Sequence, residues 1–440
     1  MEYSGNASCN LDRRRSSEGR ARTASPGITR TSVCVVGAGP AGLLLALLLA
    51  KRGADVIVLE GHQTFDREFR GEVLQPSALR LLDHLGLLDD ILSRPHAKLT
   101  EAVYRIAGRV SGRFEWRRIV PEYPYAVWMP QPSLLSMLRD KAQQFPGFQC
   151  WMGARVDELV ERSGKVRGVR GERGEAGRFE VRADVVVGAD GRHSLVRRLA
   201  GASLEYEHDD FDVVWFLARR PAPWCDTMYF VLGEDVQGVI LPRGTGEIQA
   251  GLLVPKGEWQ SWRRRGLAHV AERVRRLDPV FTEFADGLQD FGAFFPLSGE
   301  LKLVREWSRD GLLLIGDAAH TMSPTWGVGV NVALATAVAA AQVIFPRLGR
   351  GAIAGAHLAP VQASREQDVR VLHRFQRNVQ HALIVQPYSN PLVAWLLPKL
   401  LPFLLLSPVL PMLQRWLLFE TSLPAIDPEF SFREQPFSRG

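Results

Sequence analysis

The stretch Thr31–Glu60, TSVCVVGAGPAGLLLALLLAKRGADVIVLE, constrains this chain more than any other. A short β-branched apolar run, Val33 to Val36, ends in Gly37-Ala38-Gly39-Pro40-Ala41-Gly42. An apolar helical run follows to Ala50, and Lys51-Arg52-Gly53 reads as its stop. A second apolar strand, Val56 to Leu59, closes in Glu60, 18 residues after the last glycine. This spacing predicts a β-α-β unit whose first turn carries the G-x-G-x-x-G pattern of dinucleotide sites. Gly37 permits the tight turn. Gly39 lets a pyrophosphate approach free N–H groups at a helix N-terminus, where the helix dipole favours anions. Gly42 lets helix and strand pack closely, and Glu60 can accept hydrogen bonds from a ribose diol. The motif alone does not separate FAD from NAD.

At 440 residues the chain is too long for one typical core, which predicts two or more domains. Its 46% hydrophobic and 23% charged residues are ordinary for a soluble globular protein. The net charge of +6 is carried by scattered basic residues with no recognition module, so nucleic acid is not an expected partner. A mild positive field suits an anionic cofactor. Cys9, Cys34, Cys150 and Cys225 are far apart and form no C-x-x-C pair. A reduced, cytoplasmic protein without disulfides or a metal site is expected. Residues 1–30 are polar and arginine-rich, with no apolar segment directly after the arginines, and read as a disordered tail rather than a secretory signal.

Two later turns stand out. Val185-Val186-Val187 runs into Gly188-Ala189-Asp190-Gly191, and a helical segment from Leu195 follows. Leu312 to Ile315 runs into Gly316-Asp317-Ala318-Ala319-His320-Thr321-Met322-Ser323-Pro324-Thr325-Trp326-Gly327-Val328-Gly329-Val330-Asn331, followed by a small-residue helix, Val332 to Ile344. The glycines free backbone N–H groups that suit a flavin's pyrimidine edge or an anion. Between these turns, Ser77 is expected to cap a helix closed at Gly86, and Gly164 to Gly177 reads as a solvated hairpin loop. Trp259 to Leu277 reads as one helical stretch, and Ala356 to Ile384 as an amphipathic helix. Gly349-Arg350-Gly351 follows a helix rather than a strand, so no second nucleotide-binding unit is found. Leu392 to Phe419 is strongly apolar but broken by Pro398, Pro402, Pro408 and Pro411. It reads as short helices docked on the protein or a second copy, or as a peripheral membrane contact, rather than a span.

In this order, GAGPAG, GADG and GDAAHTMSPTWGVGVN resemble the single-component FAD-dependent monooxygenases of the para-hydroxybenzoate hydroxylase type, from about Ser32 to Ile344. The resemblance implies an α/β fold: a Rossmann-like FAD-binding domain, an inserted antiparallel α+β substrate domain and a helical C-terminal region. On this division 31–97, 131–205 and 301–345 form the FAD domain. Segments 98–130 and 206–300 form the substrate domain, and 346–440 is the helical region. It further implies that Gly37, Gly39, Pro40, Ala41 and Gly42 hold the pyrophosphate and Glu60 the ribose. Arg70 and Gly71 match a flavin-contacting segment, and Gln131 opens the helix near FAD. Asp190 and Gly191 match a turn touching both FAD and NAD(P)H. Asp317 meets the ribityl chain, Pro324 the flavin ring, and Gly327, Gly329, Val330 and Asn331 its pyrimidine edge.

The implied reaction is hydroxylation of an aromatic or polyketide-like apolar molecule, with NADPH or NADH as co-substrate and O₂ activated as a flavin C4a-hydroperoxide. No W-x-W-x-I-P run is present, which argues against halide chemistry. The alternative is a related flavoenzyme that epoxidises or reduces an isoprenoid at a membrane surface. No catalytic side chain is chosen: His320 is read as structural, and His208 and Tyr229 are weak candidates. Trp215, Tyr229 and Trp326 are expected to touch substrate.

Overall fold

This computed structural model describes residues 27–382 except 67–70, 107, 209, 223, 225, 234, 245 and 325–326, with scattered positions from 390 to 415 and the 423–433 stretch. The expectations for Arg70, Trp326 and most of 392–419 fall outside the described residues.

The run Val33–Val36 forms an inner strand of a six-stranded sheet. In space the order is Ser308–Arg309, Leu312–Leu314, Val185–Gly188, Val33–Val36, Val56–Glu60, Phe148–Met152. All neighbours are parallel except the 308–309 edge, with Val33 opposite both Val56 and Val185. Val33, Cys34 and Val35 are fully buried, as befits parallel strands covered on both faces. Burial pushes the Cys34 thiol up to about 12, so it stays protonated and packs as a small apolar group. Every residue from Ala41 to Ala50 of the Pro40–Lys51 helix is buried. It is apolar all round because it lies between this sheet and two helices, Gln131–Ala142 and Gly329–Ile344. Gly329–Arg347 is long and apolar enough for a membrane span, yet 72% of that stretch is buried inside the protein.

A second layer is a seven-stranded sheet in the order Phe295–Ser298, Phe211–Arg219, Glu247–Pro255, Gln237–Pro242, Thr227–Leu232, Glu101–Ile106, Arg109–Glu115. Segments from either side of the 131–205 stretch thus meet in one sheet. One face packs on the helices Glu258–Arg265 and Leu267–Leu277 through Trp259, Trp262, Val270 and Val274, and on Phe281 just after them. The other faces the first layer. Ala126–Pro130 lies outside this sheet and pairs with Gly71–Leu74 and Ala97–Leu99.

Several local expectations change. Residues 28–30 of the tail form a strand parallel to Arg178–Arg182. The stretch read as a loop from Gly164 contains a strand, Lys165–Arg173, paired on both edges. Its glycines are there for close packing: a Cβ on Gly168 would lie 2.0 Å from the Val181 carbonyl oxygen, and one on Gly171 2.1 Å from that of Arg155. The helix expected to be capped by Ser77 starts at Pro76, which needs no N–H donor there, with Gln75 before it. Gly86, at φ +72°, ends it. Gly266, at φ +96°, divides the 259–277 stretch into two helices.

Candidate active site

The three glycine-bearing turns converge on the C-terminal ends of the parallel strands, where open α/β sheets bind ligands. Gly37 has φ +104°, and a Cβ there would stand 2.4 Å from the Ala189 carbonyl oxygen. The first turn is therefore seated directly on the second. A Cβ on Gly42 would meet the Gly37 oxygen at 2.1 Å, so its role is packing. Gly39 differs: a Cβ there would have only the Ala189 oxygen near it, at 4.0 Å, and would stand in the cavity. That is the space an approaching phosphate needs. Glu60 is 5% exposed and ties the turn from below, accepting from the backbone N–H of Ala38 at 2.9 Å and His62 at 3.0 Å.

Asp190 organises the second turn. Its carboxylate accepts from the backbone N–H of Leu195 at 2.7 Å and Val196 at 3.0 Å, and from the Ser194 hydroxyl. It thereby takes the first two N–H groups of the helix Leu195–Leu199, while the N-cap Ser194 accepts from Arg197 N–H at 2.9 Å. Arg197 links this turn to the third, donating to the Ala318 oxygen at 3.1 Å and the Arg192 oxygen at 2.9 Å. Arg192 lies 3.9 Å from Asp317. In the third turn Gly327 has φ +58°, and a Cβ would press on Val73 at 2.9 Å. Asn331 is 4% exposed and fastens this region to Gly71–Leu74. Its Nδ2 donates to the Gly327 oxygen at 2.8 Å and the Val73 oxygen at 3.3 Å, while its Oδ1 accepts from Gln75 N–H at 3.0 Å. Gln131 donates to Glu72 across the same wall.

These turns border one cavity of about 800 Å³. Gly37, Gly39, Pro40, Ala41, Glu60, Gly71, Gln131, Asp190, Gly191, Asp317, Pro324, Gly327, Gly329 and Val330 line it, and so does Trp215. Gly42 and Asn331 stand behind the wall. Residues 37–42, 60, 190, 316–324 and 327–330 thus offer the anion-friendly helix start, the carboxylate and the open glycine backbone that FAD requires. These features fit FAD.

The opposite wall is the inner face of the seven-stranded sheet. Directly opposed residues share a face. One row across six strands runs Phe295, Trp215, Gly251, Val239, Phe230, Tyr104. Tyr104 and Phe230 stack at 5.2 Å with 17° between ring planes, and the Trp215 ring lies where a Gly251 side chain would be. At about 4.8 Å per strand, Tyr104 to Trp215 spans roughly 19 Å. Burial raises the Tyr104 pKa well above the ordinary value, so its hydroxyl stays neutral. The neighbouring row places Gln249 between apolar residues on the same wall.

Tyr229, expected at the substrate, faces the other way. It packs on Trp224 at 5.2 Å and under the Arg105 guanidinium at 4.4 Å, in the outer core. Side chains alternate along a strand, so Phe230 takes the cavity place. His320 does not line the cavity. It is 1% exposed, and its Nε2 lies 3.0 Å from the Thr336 hydroxyl, which donates to Val332 O at 2.9 Å. Nε2 therefore donates, and Nδ1 is left as a buried bare lone pair. Burial, then the charges of His373 and Arg365, bring its pKa down to about 3. His208 lies beside Arg377, also away from the cavity. Residues missed in the sequence include Tyr104, Gln249 and Gln380. The stretch read as an amphipathic helix forms the helix Gly355–Gln380, whose buried face carries the polar side chains His373, Gln376 and Gln380, and Gln380 reaches the cavity.

A family model described as FAD binding domain matches residues 30–353. The chain is 38% identical to 6-methylpretetramide 4-monooxygenase of Streptomyces rimosus over 79% of its own length and 82% of that protein. Among solved structures, p-nitrophenol 4-monooxygenase PnpA of Pseudomonas putida superposes with TM-score 0.70 at 22% identity, covering 89% of this chain and 98% of that one. OxyS anhydrotetracycline hydroxylase of Streptomyces rimosus does so with TM-score 0.67 at 24% identity, covering 89% and 76%. Both structures speak to the fold. Three interlocked glycine turns under one cavity, the matched family model and the 38% identity lead to one conclusion: the chain belongs to the FAD-binding-domain family, among the FAD-dependent monooxygenases of the para-hydroxybenzoate hydroxylase type.

Proposed function

We propose that this monooxygenase hydroxylates a fused-ring aromatic, polyketide-like molecule lying on the apolar sheet wall, with NADPH or NADH and O₂ as co-substrates. The observation that carries the reading is that one cavity joins a dinucleotide cradle to an aromatic wall. The action of a 38% identical relative on 6-methylpretetramide supports the polycyclic class. When bound, FAD accepts electrons from NAD(P)H and activates O₂. In this reading the N–H groups around Gly39 receive the pyrophosphate, Glu60 the ribose and Asp317 the ribityl chain. The apolar wall excludes water and holds the ring plane fixed. Tyr104, kept protonated by burial, serves as a hydrogen-bond donor rather than a base.

The test is the visible spectrum of the purified protein, then NAD(P)H oxidation with and without polycyclic phenols, then product mass. Bound flavin, ligand-stimulated oxidation and a product heavier by one oxygen are expected. A protein that takes up no FAD would sink the reading. An epoxidised or saturated isoprenoid product would favour the related flavoenzyme instead.

A finer reading concerns residues 392–419. Leu392, Trp395, Leu400 and Phe403 are exposed large apolar side chains, which supports a peripheral membrane contact or a homodimer there. Liposome flotation and light scattering test it. A monomer that leaves liposomes unbound would retire both.

A further inference from the structure

Among the described residues, several buried side chains keep a polar atom without a hydrogen-bond partner. Of these, only Gln249 lines the cavity. It is 4% exposed and is the third residue of the strand Glu247–Pro255, opposite Leu241. Its carboxamide oxygen meets no donor among the described residues. Its directly opposed neighbours are apolar, Leu217 on one side and Leu241 on the other; the next row carries the Trp215 ring over Gly251, and the row beyond the other side carries Glu247, paired with Arg243. A leucine or methionine would fill the same volume without burying an amide. Burying an amide unpaired is costly, so such a group in a binding cavity is answered by a ligand.

We propose that Gln249 anchors the substrate, pairing through its carboxamide with a neutral hydroxyl or carbonyl on the edge of a fused-ring aromatic. The inference rests on the reading of this wall as the substrate half of the monooxygenase site. A carboxamide offers one acceptor and two N–H donors with no net charge. It therefore matches a phenol or a ring carbonyl and brings no positive charge to offset a buried carboxylate. Phe230 and Tyr104 supply the flat surface, and Gln249 fixes which edge of the ring system faces which end of the cavity. It is a binding and specificity residue: a ligand lacking the polar edge leaves the amide unpaired, which is the stronger form of discrimination.

The experiment uses full-length FAD-loaded protein and two fluorescent four-ring probes, hydroxypyrene and pyrene, titrated by fluorescence. The wild type is expected to bind hydroxypyrene about tenfold more tightly than pyrene. Gln249→Leu and Gln249→Met are expected to bind the two equally, with FAD content and pyrene affinity unchanged. The unliganded melting temperature should be equal or higher, because an unpaired amide has been removed. A preference for hydroxypyrene that survives both substitutions overturns the anchor and leaves the substrate wall standing. Failure of both probes to bind protein that carries FAD overturns the anchor together with the reading of the wall.

Discussion

Gly37 and Gly39 share a motif, but their surroundings differ, and alanine at each position separates the causes. Gly37→Ala forces a positive φ and drives a methyl into the Ala189 carbonyl, for a cost on the order of 1–3 kcal/mol from the backbone alone. Apo stability and FAD retention should both fall. Gly39 has extended backbone, φ −77° and ψ 179°, and open space around it. Gly39→Ala should melt like the wild type while losing FAD, measured as flavin absorbance per protein. A second residue-scale prediction concerns His320. Its pKa lies near 3 when folded, against an ordinary 6.5, and that of His373 near 4. The folded state thus binds fewer protons than the unfolded one between those values. The stability contribution is complete above pH 6.5 and is lost as pH falls through the window. Each histidine adds up to about 1.4 kcal/mol per pH unit of slope. Thermal melts from pH 7 to pH 4 should show the decline, and His320→Gln should give a shallower one.

At the scale of elements, the seven-stranded sheet has two working faces, and adjacent residues serve opposite ends. Phe230→Ala should weaken aromatic ligand binding while sparing FAD. Tyr229→Ala should spare the ligand and lower the melting temperature, since it opens the outer core against Trp224 and Arg105. If Tyr229→Ala were the variant that lost ligand, the assigned register would be wrong. This pair also marks what the sequence could carry. The three cofactor turns were legible because glycine is demanded locally, by a positive φ or by a contact with a nearby carbonyl. The parity of a strand was not, because Tyr229 and Phe230 are equally aromatic and only the buried partner layer decides which side each takes. The glycines of Lys165–Arg173 misled for the same reason: they answer carbonyls on paired strands rather than a turn of their own. The burial of His373 and Gln376 was not legible, because their partners come from distant parts of the chain: the Tyr206 hydroxyl lies 2.8 Å from His373 Nδ1, and Gln376 Nε2 donates to the Ser323 oxygen at 3.1 Å.

At the scale of the whole molecule, the cavity lies between two cores, one built on the parallel sheet and one on the outer helices. FAD binding to the folded state alone should raise stability, and with it the melting temperature, as ligand concentration rises, the stability gain reaching about 2.7 kcal/mol when FAD exceeds its Kd a hundredfold. Differential scanning fluorimetry across an FAD series checks this. Flat melting curves across the series would show that the folded cavity does not take the cofactor. The strand order has a separate consequence for biosynthesis. Val33–Val36 leaves the ribosome early, yet one of its two partners, Val185–Gly188, and the strand beyond it, Leu312–Leu314, are made far later. Until then the nascent chain carries an apolar strand with one open edge, and no cradle for the cofactor exists. Slow translation or scarce chaperone should therefore aggregate this protein before flavin can rescue it.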